Sequence, residues 1–566
     1  MTELELTQRS NSGHRDGQSY LHTSTQLVLV LLALLGIYLY AQFLFNPANG
    51  GDTVPWLLVL IAESFIMVQA IITLWTIVSG GYNPRDYHYY YTQERLFSPT
   101  GRSGITALHD DAARPISVAN PRPFYIDQRR VKVDVYITVY GEPLGVIRRT
   151  AIAARDMTGL HETYILDDGK SDDVRRLAQQ LGVKYLRRDD SRGAKAGNIN
   201  RALERTDGDF FVIFDADFTP SELFLYQTLP FFADPHLAFV QAPQTYGNLG
   251  SAVSRGAGYQ QQVFYKLIQP GKNRFNSAFC VGTNVVFRRA AIEQIGGIYE
   301  QSKSEDIWTS LKLHERGYKS IYLSDTLAVG DAPENIKAYS KQQLRWATGS
   351  MEILFHGNPL FKRGLSLWQR ILYLETATFY LQGVAAALLM LLPPLQIFFG
   401  LVPINLSIAF GAWAFYYLSF YAMQIVVASH AMGRFRLETI LLATASFPIY
   451  FKALWHGFWL KDKAWQATGA TKFDSPYNYI LPQLLIFLFL CFTDYVGVVK
   501  IIAQHNISLT LFWNFLNTFV FGGFILLAMR EQRQLKHANR QHKRDQRRQN
   551  KARARHRQQI IVKAGR

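Results

Sequence analysis

Six apolar runs constrain this chain more than any other feature. They lie near Gln26 to Phe45, Trp56 to Val78, Ile371 to Phe399, Leu406 to Ala428, Tyr479 to Val499 and Leu509 to Met529. Each approaches the roughly 20 residues that cross a bilayer's hydrocarbon core. In lipid the backbone must satisfy its own hydrogen bonds, so such runs fold as helices. The first follows 25 mostly polar residues with no small-residue cleavage site, and is read as a retained anchor. A further stretch, Thr439 to Phe451, is shorter, contains Pro448 and is followed by Lys452, His456, Lys461 and Lys463. It is expected to lie in the membrane interface.

Charge orients these spans. The loops at 46–55 and 400–405 carry no Lys or Arg, and 500–508 carries only Lys500. The positive-inside rule therefore puts both termini, residues 80–370 and residues 430–475 in the cytoplasm of a plasma (inner) membrane protein. The chain's formal charge is +17, and Arg530 to Arg566 holds 14 Lys or Arg against Glu531 and Asp545. So basic a segment directly after an apolar run faces lipid headgroups or solvent, and no nucleic-acid partner is expected. Cys280 and Cys491 are far apart and form neither a disulfide framework nor a zinc-ligand spacing.

Between the second and third spans the pattern changes. VDVYITVY, TYILDD, VKYL and DFFVIFD alternate with helical stretches from about Leu144 and Asp172. Strands alternating with helices predict a doubly wound, mostly parallel α/β sheet, and ligands of such sheets bind beyond the C-terminal strand ends. Asp167 and Asp168 close one strand, and Asp215 and Asp217 close another. An Asp-Gly pair is also common turn chemistry. Two acids at i, i+2 on a strand end repel unless a cation or donors offset them, and a hard divalent cation shared with substrate phosphates does so. No Walker or GxGxxG loop is present to cradle phosphates.

ILDDG, GAKAGNIN, FDAD, SED and QQLRW occur in that order between Ile165 and Trp346. This series resembles the D, DxD, TED and QxxRW motifs of processive family 2 glycosyltransferases, above all the bacterial cellulose synthases and the curdlan and mixed-linkage β-glucan synthases. The resemblance implies a glycosyltransferase-A-like cytoplasmic domain, a Rossmann-like mixed sheet inserted between transmembrane helices. The division of the chain is then 1–25 cytoplasmic, 26–79 two spans, 80–357 the glycosyltransferase domain and 358–430 an interface helix with two spans. Residues 431–475 form a cytoplasmic interface helix and gating loop, 476–530 two spans, and 531–566 a basic cytoplasmic tail.

The resemblance also assigns roles. Thr138, Tyr140, Glu142 and Asp167 would hold the uridine, and Lys195 a nucleotide phosphate. Asp217, with Asp215 beside it, would bind Mg2+ or Mn2+ through the diphosphate. Asp306, in a Ser304-Glu305-Asp306 series where Ser replaces the family's Thr, would be the general base. Ser304 and Asp306 also suit the start of a helix. Gln342 and Arg345 would face the departing UDP, while Trp346, Glu305 and Cys280 would meet the acceptor. Trp465, Thr468 and Lys472 match the gating loop by position, with the lysine displaced by one residue.

The expected reaction is polymerisation of a β-glucan, β-1,3, β-1,4 or mixed, from UDP-glucose onto a growing polysaccharide, with translocation across the bilayer. Alternatives are a β-linked N-acetylglucosamine or hyaluronan-like polymer, or single-sugar transfer to a lipid acceptor. Accessory secretion subunits are compatible with the resemblance, which leaves the oligomeric state open. Glu63, Gln69, Glu375, Gln382, Gln424 and Asp494 are polar groups in or beside spans, suited to a translocation path or to bonding between helices. No PilZ-like RxxxR and D/NxSxxG pair follows the last span, so control by cyclic di-GMP through such a domain is not expected.

Overall fold

The computed structural model describes residues 23–98, 121–405, 408, 410–433, 436–459, 475–504 and 509–564. The α/β domain is built on a seven-stranded sheet: β1 (Val133–Val139), β2 (Glu162–Asp167), β3 (Lys184–Arg187), β4 (Phe210–Asp215), β5 (Leu237–Gln241), β6 (Val285–Arg288) and β7 (Lys319–Tyr322). Its spatial order is β7-β5-β6-β4-β1-β2-β3. The four strands legible in the sequence form the parallel half. β6 runs antiparallel between β4 and β5, which makes the sheet mixed.

All seven residues of β1 are buried, as expected of a central strand covered on both faces. Alternate side chains serve different cores. Val133, Val135, Ile137 and Val139 pack with Ile147, Ala151, Leu177 and Ala178 of the helices Leu144–Arg155 and Asp172–Leu181. Tyr136 points the other way, to Ile199 and Ala202 of helix α1 (Ala194–Leu203).

Two further helices carry the motifs beyond the sheet: α2 (Glu305–Glu315) and α3 (Ile336–His356). α3 joins the domain to the membrane half. Ala347 packs with Tyr450 and Ala453, and His356 bonds the Gly457 carbonyl at 3.0 Å.

Among the described residues six segments are long and apolar enough to cross a membrane: Ser24–Leu44, Thr53–Ser79, Leu367–Phe399, Leu437–Trp459, Leu481–Ala503 and Thr510–His537. The sequence reading placed Thr439 to Phe451 in the interface, yet the segment Leu437–Trp459 that contains it meets this criterion. It comprises two helices, Leu437–Ala445 and Phe447–Trp459, meeting at Ser446. Pro448 sits in the first turn of the second, where its missing N–H costs nothing. The run read as a span near Leu406 to Ala428 forms the helix Phe410–Met432, against which Tyr40 and Phe43 stack through Phe420 and Tyr416.

The intramembrane acids bond other groups. Glu63 is wholly buried and accepts from the Tyr421 hydroxyl. Asp494 accepts from Asn514 and Thr518, both at 2.6 Å. Glu375 pairs with buried Lys272 of the α/β domain at 2.7 Å. The last helix does not stop where the apolar run ends but continues from Leu509 to Ala564.

Candidate active site

The C-terminal ends of β1 and β4 open into a cavity of about 600 Å³ whose far walls are α2 and α3. Thr138, Tyr140, Glu142, Lys195, Asp215, Asp217, Glu305, Asp306, Gln342, Arg345 and Trp346 all line it. Residues more than 200 positions apart converge because the strand ends, the first turn of α2 and the middle of α3 share one edge of the sheet.

The floor is a bonded acid–base set. Gly193 and Ala194 both have positive φ, 69° and 45°, and this turn starts α1 so that Lys195 reaches back to the sheet. Its ammonium pairs with Asp215 and donates to the Gly282 carbonyl at 2.7 Å. The Thr138 hydroxyl donates to Asp215 at 3.1 Å. Burial pulls the Lys195 ammonium down, but the Asp215 and Glu305 carboxylates outweigh it and hold the pKa above its ordinary value.

Asp217 has the opposite environment. Burial first, then the charges of Asp215, Asp331 and Glu142, push its carboxyl up to about 7. Such a concentration of carboxylates on a cavity wall suits a divalent cation, which would offset their repulsion. Among the described residues no three His, Cys, Asp or Glu side chains are grouped closely enough to hold a metal by themselves. Asp217 and Asp215 line the cavity as oxygen donors, a set that suits a cation only if a ligand supplies the remaining oxygens.

Asp306 stands across the cavity at the start of α2. Burial and the adjacent Glu305 push its carboxyl up to about 7, against the opposing pull of Lys195 and Arg345. Gly282, at φ +84°, lies between the two sides: a Cβ there would sit 3.3 Å from Asp306 Oδ2 and 3.6 Å from Lys195 Nζ. Ser304 occupies the N-cap position of α2 but makes no capping side-chain bond. It is buried against Gly349 of α3 instead, so α2 and α3 touch at the residue where the first begins.

Two expected contacts lie outside the cavity lining. Asp167 is fully buried, its carboxylate accepting from the N–H groups of Gly169 and Ser171 and from the Tyr185 hydroxyl, each at 2.8 Å. That is turn chemistry, and its neighbour Asp168 reaches the cavity instead. Cys280 is buried in the core with Val285 and Phe287, and its sulfur accepts from the Gly282 N–H at 3.3 Å. Burial pushes its thiol well up, so it is held as a neutral packing group. Trp465, Thr468 and Lys472 lie outside the described residues.

Asp168, read in the sequence only as a strand-end acid, is clamped by Arg188 at 2.5 and 2.7 Å, and Arg188 also bonds the Ala194 carbonyl at 2.7 Å, fixing the turn that presents Lys195. Asp331, Glu334, Tyr246, Glu531 and Leu535 also line the cavity and were given no site role from the sequence. The one available signal was Asp331 directly after the short apolar run Ala328–Gly330, a strand-end acid like the others.

Residues 210–428 match the family model described as Glycosyl transferase family group 2. The cellulose synthase catalytic subunit (UDP-forming) of Xanthomonas axonopodis pv. citri (strain 306) is 38% identical over 279 residues, which are 47% of this chain and 38% of that protein. Cellulose synthase 1 of Komagataeibacter xylinus is 36% identical over 277 residues, 47% of this chain and 18% of that protein. The chain thus spans well under half the length of these curated relatives. Among solved structures, a mannosyltransferase from Pyrobaculum calidifontis in complex with GDP-Man and Mn2+ aligns with 72% of this chain and 100% of its own, at 17% identity and a TM-score of 0.47. The stretch 210–428, which holds β4 to β7 and α3, is thus similar to family 2 glycosyltransferases. Over a somewhat longer stretch the chain resembles the cellulose synthase catalytic subunits.

Proposed function

We propose that this chain is a membrane-embedded, processive, inverting glycosyltransferase that extends a β-glucan from UDP-glucose and passes it across the membrane between its own helices. The observation that carries this reading is the convergence on one cavity of the Asp215–Asp217 pair, Asp306 and the Gln342-Arg345-Trp346 face of α3. The similarity to cellulose synthases, one of them a UDP-forming catalytic subunit, supports the donor and the product class.

The chemistry follows from the residues. Asp306 takes the proton from an acceptor hydroxyl, and the oxygen attacks the anomeric carbon from the face opposite UDP, turning an α-linked donor into a β-linked product. As the sugar–phosphate bond breaks, negative charge grows on UDP beside Arg345 and Lys195, which are already cationic and in place. Asp217 and Asp215 would hold Mg2+ or Mn2+, which supplies further stabilisation of the leaving diphosphate when bound. Trp346 offers an aromatic face to the terminal acceptor sugar. Which hydroxyl meets Asp306 decides between 1,3, 1,4 and mixed linkages. Trp465, Thr468 and Lys472 are proposed to close over the donor and exclude water.

Purified protein in lipid nanodiscs, given radiolabelled UDP-glucose, tests the reading. A long β-glucan resolved by linkage analysis is expected, and a single transferred sugar would refute processivity. Asp306→Asn should keep UDP binding and abolish polymer formation; persistent synthesis would remove Asp306 as the base.

A further inference from the structure

The helix that begins as the last span does not leave the catalytic domain when it leaves the apolar region. Glu531 and Leu535, one helical turn apart on one face, line the same cavity as Gln342, Arg345 and Trp346. Glu531 Oε2 accepts the backbone N–H of Ile336 at 2.9 Å. Ile336 is the first residue of α3, and a helix's first N–H groups have no partner within the helix. Asn335 takes the N–H of Ala338 at 2.9 Å, so Glu531 supplies from a distant part of the chain a bond that the local cap leaves unmade.

The contact is part of a packed junction. Phe524, Ile525 and Ala528, the turns just before Glu531, share a buried cluster with Ile336 and Tyr339 of α3. Gln532 accepts from Ser475 at 3.0 Å, tying in the segment that follows residues 460–474.

We infer that Glu531 is a positioning residue for glycosyl transfer: by capping α3 from the last membrane helix, it sets where Gln342 and Arg345 sit against the nucleotide diphosphate. The inference rests on the function proposed above. Gln342 and Arg345 lie six and nine residues beyond the capped N–H, about 9 and 13 Å along the helix axis, so a shift at the first turn reaches both through a rigid rod.

The test uses the full-length protein in nanodiscs with UDP-glucose as donor, and UDP alone in calorimetry. Glu531→Ala should lower kcat/KM and weaken UDP binding by about fivefold, the scale of a lost helix cap. Glu531→Gln keeps an acceptor oxygen and should recover most of that loss. Arg533→Ala, exposed on the same helix, should match wild type in both readouts. Thermal unfolding of each variant is recorded, and a melting temperature within a degree or so of wild type, on the order of the smallest mutational shifts, identifies the loss as local. The inference is overturned if Glu531→Ala matches wild type, or if Glu531→Gln and Arg533→Ala are as defective as Glu531→Ala. A wild-type protein that binds UDP but makes nothing from UDP-glucose refutes the proposed donor instead, and the UDP-binding comparison among the variants still decides the role of Glu531.

Discussion

Substituting Gly349 by alanine probes the contact between α2 and α3. A Cβ at Gly349 would overlap the Ser304 side chain and come within 3.6 Å of its Cα. Two effects oppose each other. Alanine in a helix interior is favoured over glycine by about 1 kcal/mol, whereas forcing a methyl group into a packed contact costs about 1–3 kcal/mol. The net change in stability is therefore small, from about zero to about 2 kcal/mol of destabilisation. Activity should fall much further, because relief of the overlap moves Ser304 and with it Asp306, two residues on. A displacement near 1 Å at a reacting group costs about 100-fold. Initial rates of polymer formation and thermal unfolding, measured on the same preparations, give both numbers. Ser304→Gly combined with Gly349→Ala removes the overlap and should recover most of the rate. A Gly349→Ala protein with wild-type turnover, or a double variant no better than the single one, would show that α3 does not set the position of Asp306.

Other outcomes follow from the same geometry. Because burial and Glu305 raise Asp306 to about 7, the base is increasingly protonated below that pH, and kcat/KM should fall on the acid side. Glu305→Gln removes one of the two causes and should move that limb to lower pH, as read from pH–rate profiles. The same shift weighs on stability with the opposite sense: a carboxyl raised in the folded state stabilises at acid pH, and that contribution is lost as pH rises from about 4 through about 7. Stripping divalent cations with EDTA should abolish transfer, Mg2+ or Mn2+ should restore it, and Asp217→Asn should raise the cation concentration required; full activity in EDTA would refute a metal at that pair. Arg188→Ala leaves Asp168 buried without its partner, at a cost of about 3–5 kcal/mol, and loosens the turn that presents Lys195. Loss of thermal stability together with weaker UDP binding is expected, and unchanged UDP affinity would separate this clamp from the site.

Much was readable in the residues alone. Two periodicities of apolar side chains, near 20-residue runs and strand-length runs ending in Asp, distinguish the membrane helices from the parallel half of the sheet. Both are local signals, written over a few turns or a few residues. β5, β6 and β7 were not read from sequence, since a short apolar run in a buried strand has no periodicity of its own. Asp167 and Asp168 show the same limit at single-residue scale. Asp167 ends β2 and Asp168 begins the turn after it, and the motif does not say which of the two meets the cavity. The structure turns Asp167 into the turn and Asp168 into the cavity, where Arg188 receives it.

The order of motifs therefore carries the chemistry proposed for this chain, because catalytic groups must be of particular types and their types are visible in one dimension. Tertiary structure alone decided which of them meet. Gly349 against Ser304, Arg188 between Asp168 and Ala194, and Glu531 on the first N–H of α3 join residues up to 195 positions apart. Such contacts form only when separately folded helices pack, and packing depends on surfaces that no local pattern encodes.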